Sequence, residues 1–211
     1  MYDVSSATRT YAGLSVAERR RRRRAQLLSA ALDEVLEVGV AAVTAERVCG
    51  RAGLTKRYFY ESFADREELL VTAAHELFEG VWTAVMHAVE ANPDDARARV
   101  GSAVEALADA LVGDPRGARL YVECPALPAL SRRKEDAIAR FAGLAADRLL
   151  PFASDFPEAQ RLVVARFVVA GATDVMTAWL AGELEASRED VVSAILRTAL
   201  TGCAGRPDLR A

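Results

Sequence analysis

The chain has 211 residues, 52% of them apolar and 7% aromatic, with a net charge of −3; that length holds one large domain or a small one joined to a larger one. Cys49, Cys124 and Cys203 are odd in number and far apart, which excludes a disulfide framework or paired zinc motif and fits a reducing cytoplasm. No continuous run of 18 apolar residues marks a membrane span, and the opening MYDVSSATRT lacks the apolar core of a secretory signal.

Alanine and leucine dominate over β-branched runs, and Pro and Gly fall at intervals, so the expected fold class is all-α. Residues 1–14 show no period and are expected to be a flexible arm. Ser15-Val-Ala-Glu18 matches a capping box, in which serine and glutamate satisfy each other's free backbone donors. Leu28, Ala31, Leu32, Val35 and Leu36 then form an apolar stripe that Gly39 ends. Thr44 is an N-cap for a short second helix closing at Gly53; Thr55 is expected to cap a third running to about Glu61. Asp65 opens a long fourth helix that Asn92-Pro93 stops. Further helices are expected near 94–112, 115–122, 129–150, 157–185 and 188–203, with residues 205–211 frayed. The expected organisation is an arm (1–14), a small head (15–64) and a larger helical body (65–211).

Charge separates head from body. Residues 1–66 carry 12 Lys/Arg against 8 Asp/Glu, and residues 67–211 carry 15 against 22. A basic head on an acidic body points to a polyanion met by the head alone, with a chance excess of arginine as the alternative reading. The segment Thr44–Leu70 has the parts of a helix-turn-helix. Cys49 is small enough for a helix crossing, Gly53 turns the chain, and Leu54 plugs the joint over Val48, Ala52, Phe59 and Phe63. Thr55, Lys56, Arg57, Tyr58, Tyr60 and Ser62 then give a surface of hydroxyls and positive charge, suited to phosphate oxygens and base edges.

This segment resembles the DNA-binding domain of the tetracycline repressor family. The likeness rests on the capped first helix, the Gly39 bend, Thr44, the Cys49/Gly53/Leu54 joint and Phe59-Tyr60-x-x-Phe63. The resemblance implies that Thr44 and the amides beside it, Ala45 among them, hold phosphate at a helix N-terminus. It also implies that Lys56, Arg57 and Tyr58 approach base edges, and that Tyr60 gives its hydroxyl to a phosphate. Arg66 stands where the family usually has a phosphate-binding lysine. Arg57 and Ser62 depart from the family's frequent glycine and histidine, which changes the operator sequence rather than the fold. In the run Arg19–Arg24, about half the side chains can face one surface, with Arg22 and Arg23 as candidate DNA contacts. Positive charge in a first helical turn opposes the macrodipole, so a phosphate partner is one reading and a solvated turn the other.

The resemblance further implies a homodimer through the helices at 157–185 and 188–203, a small-molecule effector of unknown identity, and repression as the usual outcome. The stretch Val163–Leu184 is apolar on nearly all faces, and Val191, Val192, Ile195, Leu196, Ala199 and Leu200 form a stripe, together resembling half of a four-helix interface. Packing within one subunit is the alternative. Trp82, Met86, Leu107, Leu111, Tyr121, Phe141 and Phe167 are candidates to line a pocket or to fill the core. Asp174 interrupts an apolar helix; it could meet a cationic ligand, an arginine across the dimer or a backbone amide. No cofactor is expected. A di-iron enzyme would need Glu-x-x-His pairs, but Thr72 and Ala84 precede His75 and His87 by three, and no P-loop, Rossmann or nucleophile-elbow motif occurs.

Overall fold

A computed structural model describes residues 15–150 and 156–201. The expected arm 1–14, Cys203 with the end of the last helix, and residues 205–211 lie outside the described residues. Within them the regular structure is helical: α1 Val16–Val38, α2 Ala45–Ala52, α3 Lys56–Tyr60, α4 Arg66–Glu90, α5 Ala96–Val112, α6 Pro115–Glu123, α7 Pro128–Leu144, α8 Glu158–Leu180 and α9 Arg188–Thr201. Two short 3-10 turns, Val40–Ala42 and Cys124–Ala126, join α1 to α2 and α6 to α7. A π turn, Ala145–Leu149, extends α7.

The starts and stops follow from local chemistry. Ser15 Oγ accepts from Glu18 N at 3.1 Å while Glu18 Oε2 accepts from Ser15 N at 2.6 Å, the reciprocal pair expected of a capping box. Asp65 Oδ1 accepts from Glu68 N at 2.8 Å and opens α4. Thr55 is the exception: it precedes α3 in extended backbone, but its hydroxyl makes no capping bond. The α1 stripe is buried from Leu27 through Val35, and Gly39 leaves the helix at φ +79°. A side chain at Gly39 would be strained and would meet the Glu123 carboxylate at 3.0 Å.

α4 is the spine, packing on α1 at its start and on α5 and α7 along its length. Its buried face runs through Leu69, Ala73, Val81 and Val85 to Val89. α9 lies on α5 and α8, and its apolar stripe is the core of one subunit: Val191, Val192, Ile195 and Ala199 are buried there. The expectation that this stripe faces a partner is therefore corrected. Its spacing fitted either role, and α5 already offers an apolar surface at the right distance along the chain.

Glu34 is the one buried charged residue among those described, 3% exposed. It accepts from Arg47 Nε at 2.5 Å and Arg51 Nε at 2.6 Å, fastening α2 to α1. Burial pushes the Glu34 carboxyl up, but the hydrogen bonds and charges of Arg51 and Arg47 outweigh it and hold it below the usual carboxylate range. A buried carboxylate is tolerated because two guanidinium groups occupy its oxygens.

Candidate functional site: a nucleic-acid interface and an apolar cavity

α2 and α3 meet at a joint fixed by backbone geometry. Gly53 adopts the left-handed conformation (φ +64°, ψ +29°) and donates to Cys49 O and Gly50 O, closing α2. Leu54 N donates to Cys49 O at 3.0 Å. A Cβ at Gly53 would meet nothing within 4 Å, so glycine is required there for conformation rather than space. Thr44 caps α2, its Oγ1 accepting from Arg47 N at 3.2 Å, with Ala45 in the first turn behind it.

α3 turns Phe59 inward and leaves Thr55, Lys56, Arg57 and Tyr60 exposed. Tyr60 is held edge-on to Phe59, ring centroids 5.3 Å apart. Lys56 pairs with Glu46, and Arg57 Nε donates to Glu61 Oε1 at 2.9 Å. Both pairs stand in solvent, where an ion pair contributes little, so an incoming phosphate or base edge can replace either carboxylate cheaply. Tyr58 is half-buried beneath Arg23, whose guanidinium sits 4.4 Å from the ring centroid. Ser62 donates to Tyr58 O at 2.9 Å.

The arginine run has a structural role its composition hides. Arg20 donates to Glu61 O at 3.1 Å and Arg24 to Ser62 O at 2.6 Å, while Arg24 also lies 4.1 Å over the Phe63 ring. These two residues, one turn apart, hold the carbonyl end of α3, where cations are favoured by free C=O groups. Arg22 is exposed and makes no ion pair or side-chain hydrogen bond among the described residues. Arg66, expected at a phosphate, donates through Nη2 to Val40 O at 2.5 Å and Ala41 O at 3.4 Å. Its Nε is buried without a partner among the described residues. It ties the first turn of α4 to the 3-10 turn, work that a lysine's single ammonium does less well.

The body encloses a second feature, an apolar cavity of about 110 Å³ that is partly open to solvent. α4 lines it with Phe78, Val81 and Val85, α5 with Leu107, α6 with Tyr121, α7 with Lys134 and Phe141, and α8 with Val169 and Thr173. Thus Leu107, Tyr121 and Phe141 stand at the cavity, and the other named candidates do not. Leu111 is core, fully buried. Met86 is half-buried against that core. Trp82 lines a neighbouring surface groove, with Arg140 stacked 3.8 Å from its ring. Phe167 is 76% exposed and Asp174 is also exposed, both on the outer face of α8. A helix apolar on all sides carries no phase, so its sequence did not say which face turns inward.

Lys134 is the residue the sequence reading missed. It hides in the charged stretch Ser131–Asp136, yet Leu130, Ala137, Ile138 and Phe141 share its helical face, a spacing that could have found it. Its Nζ donates to Thr177 Oγ1 at 2.8 Å and Tyr121 O at 3.3 Å, and lies 4.0 Å from the Tyr121 ring centroid. Burial pushes the Tyr121 phenol up to about 12 and the Lys134 amine down.

Cavity and head are joined by α6. Arg116 Nη1 donates to Asp33 Oδ1 of α1 at 3.1 Å, and Glu123 Oε2 accepts from Val40 N at 2.5 Å. One short helix therefore contributes Tyr121 to the cavity wall and grips both α1 and the turn that follows it.

Residues 27–73 match the model for bacterial regulatory proteins of the tetR family. Over 101 residues the chain is 32% identical to the HTH-type transcriptional activator FasR of Mycolicibacterium smegmatis. That stretch is 48% of this chain and 46% of the relative, so the match spans about half of each. The fold is similar to that of the fatty acid degradation regulator FadR from Bacillus halodurans, with a TM-score of 0.72 and 16% identity, over 87% of this chain and 97% of that one. It is also similar to the regulator FadR from Bacillus subtilis in complex with stearoyl-CoA, with a TM-score of 0.67 and 16% identity, over 84% and 98%. At such identities the likeness shows the fold alone. The relatives are named as regulators, not enzymes, in agreement with the catalytic motifs missing from the sequence.

Proposed function

Because the chain belongs to the tetR family of bacterial regulatory proteins through residues 27–73, we propose that it is a dimeric, effector-responsive transcriptional regulator acting in the cytoplasm on duplex DNA. The observation that carries this reading is α3 itself: Lys56, Arg57 and Tyr60 project outward from a helix whose other side is anchored by buried Phe59. Such a helix fits the major groove, with Thr44 and the α2 amides beside the phosphates. Two copies set about 34–36 Å apart would read successive grooves of a palindromic operator.

The outer face of α8 supports the dimer. Leu162, Val163 and Phe167 are exposed on one stripe, with Val163 at 67%. An apolar patch of that kind on a water-soluble body marks a partner surface. Among the described residues α8 is also the one helix long and apolar enough to cross a membrane. We read it as an interface instead, because Arg166 and Asp174 share its exposed face and each would cost roughly 2.5–3.5 kcal/mol at a bilayer centre.

The apolar cavity would take the effector. It is concave and almost wholly apolar with a few polar groups, the character of small-molecule sites. The neighbour from Bacillus subtilis, solved with stearoyl-CoA, supports a body of this shape accepting an apolar chain. The effector would act by preferring one of two arrangements of α6, and with it one spacing of the heads. Repression by operator occupancy, relieved by the effector, is the simplest outcome. The FasR relative is named an activator, so reporter transcription with and without the regulator fixes the sign.

The two roles assigned on α3 separate in a binding experiment. Tyr60→Phe should weaken every duplex by a similar factor, since a phosphate contact carries no base information. Arg57→Ala should alter preference between operator variants, with roughly 1–3 kcal/mol of discrimination lost at one base pair. Fluorescence anisotropy across single-base variants reads both. A Tyr60→Phe protein with changed base preference would remove the phosphate assignment.

A further inference from the structure

We propose that the effector is an amphiphile carrying a carboxylate, whose acyl chain enters the cavity and whose head group ion-pairs with Lys134. The proposal rests on the reading of the cavity as the effector site and adds the chemistry of the ligand's polar end.

The cavity wall is apolar around nearly its whole circumference, and Lys134 is the sole cation among its lining residues. A half-buried ammonium normally meets a carboxylate. Among the described residues this one has no ion pair; its neighbours are a hydroxyl, a carbonyl and an aromatic ring. Asp174, on the same helix as Thr177, is exposed, forms no salt bridge with it and acts on it only through space, favouring the ammonium. Desolvation disfavours the ammonium more than that distant charge favours it, as the lowered pKa of Lys134 reflects. A bound carboxylate would supply a charge in direct contact, with Thr177 and the Tyr121 phenol close enough to take part in holding it. Neither a cationic nor a purely hydrocarbon ligand answers this arrangement. The first would be repelled, and the second would leave the amine further dehydrated.

The same position gives the head group a route to the DNA-binding end. Lys134 donates to the carbonyl of Tyr121 in the last turn of α6, two residues before the Glu123 that holds Val40 N. A carboxylate competing for the ammonium acts directly on that turn.

The test uses dodecanoate and dodecan-1-ol, chains of equal length differing in the head group. Both are titrated into the full-length protein and followed by thermal shift and by intrinsic tryptophan fluorescence. Wild type is expected to bind the acid roughly 10- to 100-fold more tightly, the range of a charge-assisted hydrogen bond. Lys134→Met should erase that preference while retaining the alcohol's affinity, and Lys134→Arg should keep it. Equal binding of acid and alcohol by wild type overturns the head-group assignment and leaves the cavity as an apolar effector site. Binding of neither, by protein that still binds DNA, overturns both readings. The wild-type comparison decides the matter even if Lys134→Met fails to fold.

Discussion

Replacing Phe59 with alanine is expected to lower the unfolding free energy by about 3–5 kcal/mol, read as a fall in melting temperature of roughly 6–20 °C for a chain of this size. Phe59 is wholly buried and stands with Phe63 in the core of the head, their ring centroids 6.0 Å apart. Removing the ring forfeits its burial and leaves a cavity that α3 cannot close. α3 has only five residues, far below the length at which a helix holds itself in water. The loss is a large share of the roughly 5–15 kcal/mol that holds a domain together, so DNA binding should vanish with it. The adjacent Tyr60 gives the contrast. It is 59% exposed, and Tyr60→Ala should cost about 1 kcal/mol or less while still impairing DNA binding. Melting curves of the two variants check the pair, and a Phe59→Ala protein as stable as wild type would contradict the packing described for α3.

Replacing Phe167 with glutamate is expected to convert the proposed dimer to monomer and to weaken operator binding by at least about 100-fold. Phe167 is the most exposed large apolar side chain among those described, midway along α8. In the proposed twofold dimer its copy would lie on the same patch of the partner, so one substitution would place two unpaired carboxylates in one apolar seam. Burying a charge without a counterion costs several kcal/mol, more than most such interfaces can absorb. Because the residue is exposed in the protomer, the melting curve of the monomer should be little changed apart from the dimer's own contribution. Sedimentation velocity and anisotropy on a duplex read both effects. A Phe167→Glu protein that remains dimeric would move the interface away from this face of α8.

The two halves of the molecule were unequally readable in the sequence. The head is specified by short-range chemistry: Ser15 and Glu18 cap each other, Thr44 and Asp65 cap helices, and Gly39 and Gly53 sit where φ is positive. Each of these signals acts within about four residues, so residue order alone locates α1 to α4. The contacts that were missed are long-range. Arg20 and Arg24 reach the carbonyls of Glu61 and Ser62 across 41 and 38 residues. Nothing local distinguishes those arginines from Arg22, and the run as a whole resembled a solvated or phosphate-seeking turn. Arg66 likewise matched a position associated with phosphate, yet Val40 O and Ala41 O lie within its reach. In the body the difficulty is phase. α8 is apolar all round, so Phe167 and Thr173 looked equivalent although one faces outward and the other the cavity. Lys134 was obscured by the charges beside it, although its helical neighbours are apolar.

The most direct test of the central claim, that α3 is a DNA-reading element presented twice by a symmetric dimer, is hydroxyl-radical footprinting of the purified protein on the duplex flanking its own gene. The account predicts two protected patches related by a dyad, centred about 10 base pairs or a multiple of that apart, with protection lost for Arg57→Ala at the bases it reads. An unprotected duplex at low salt, or a single asymmetric patch unaffected by changes at Lys56, Arg57 and Tyr60, would contradict it.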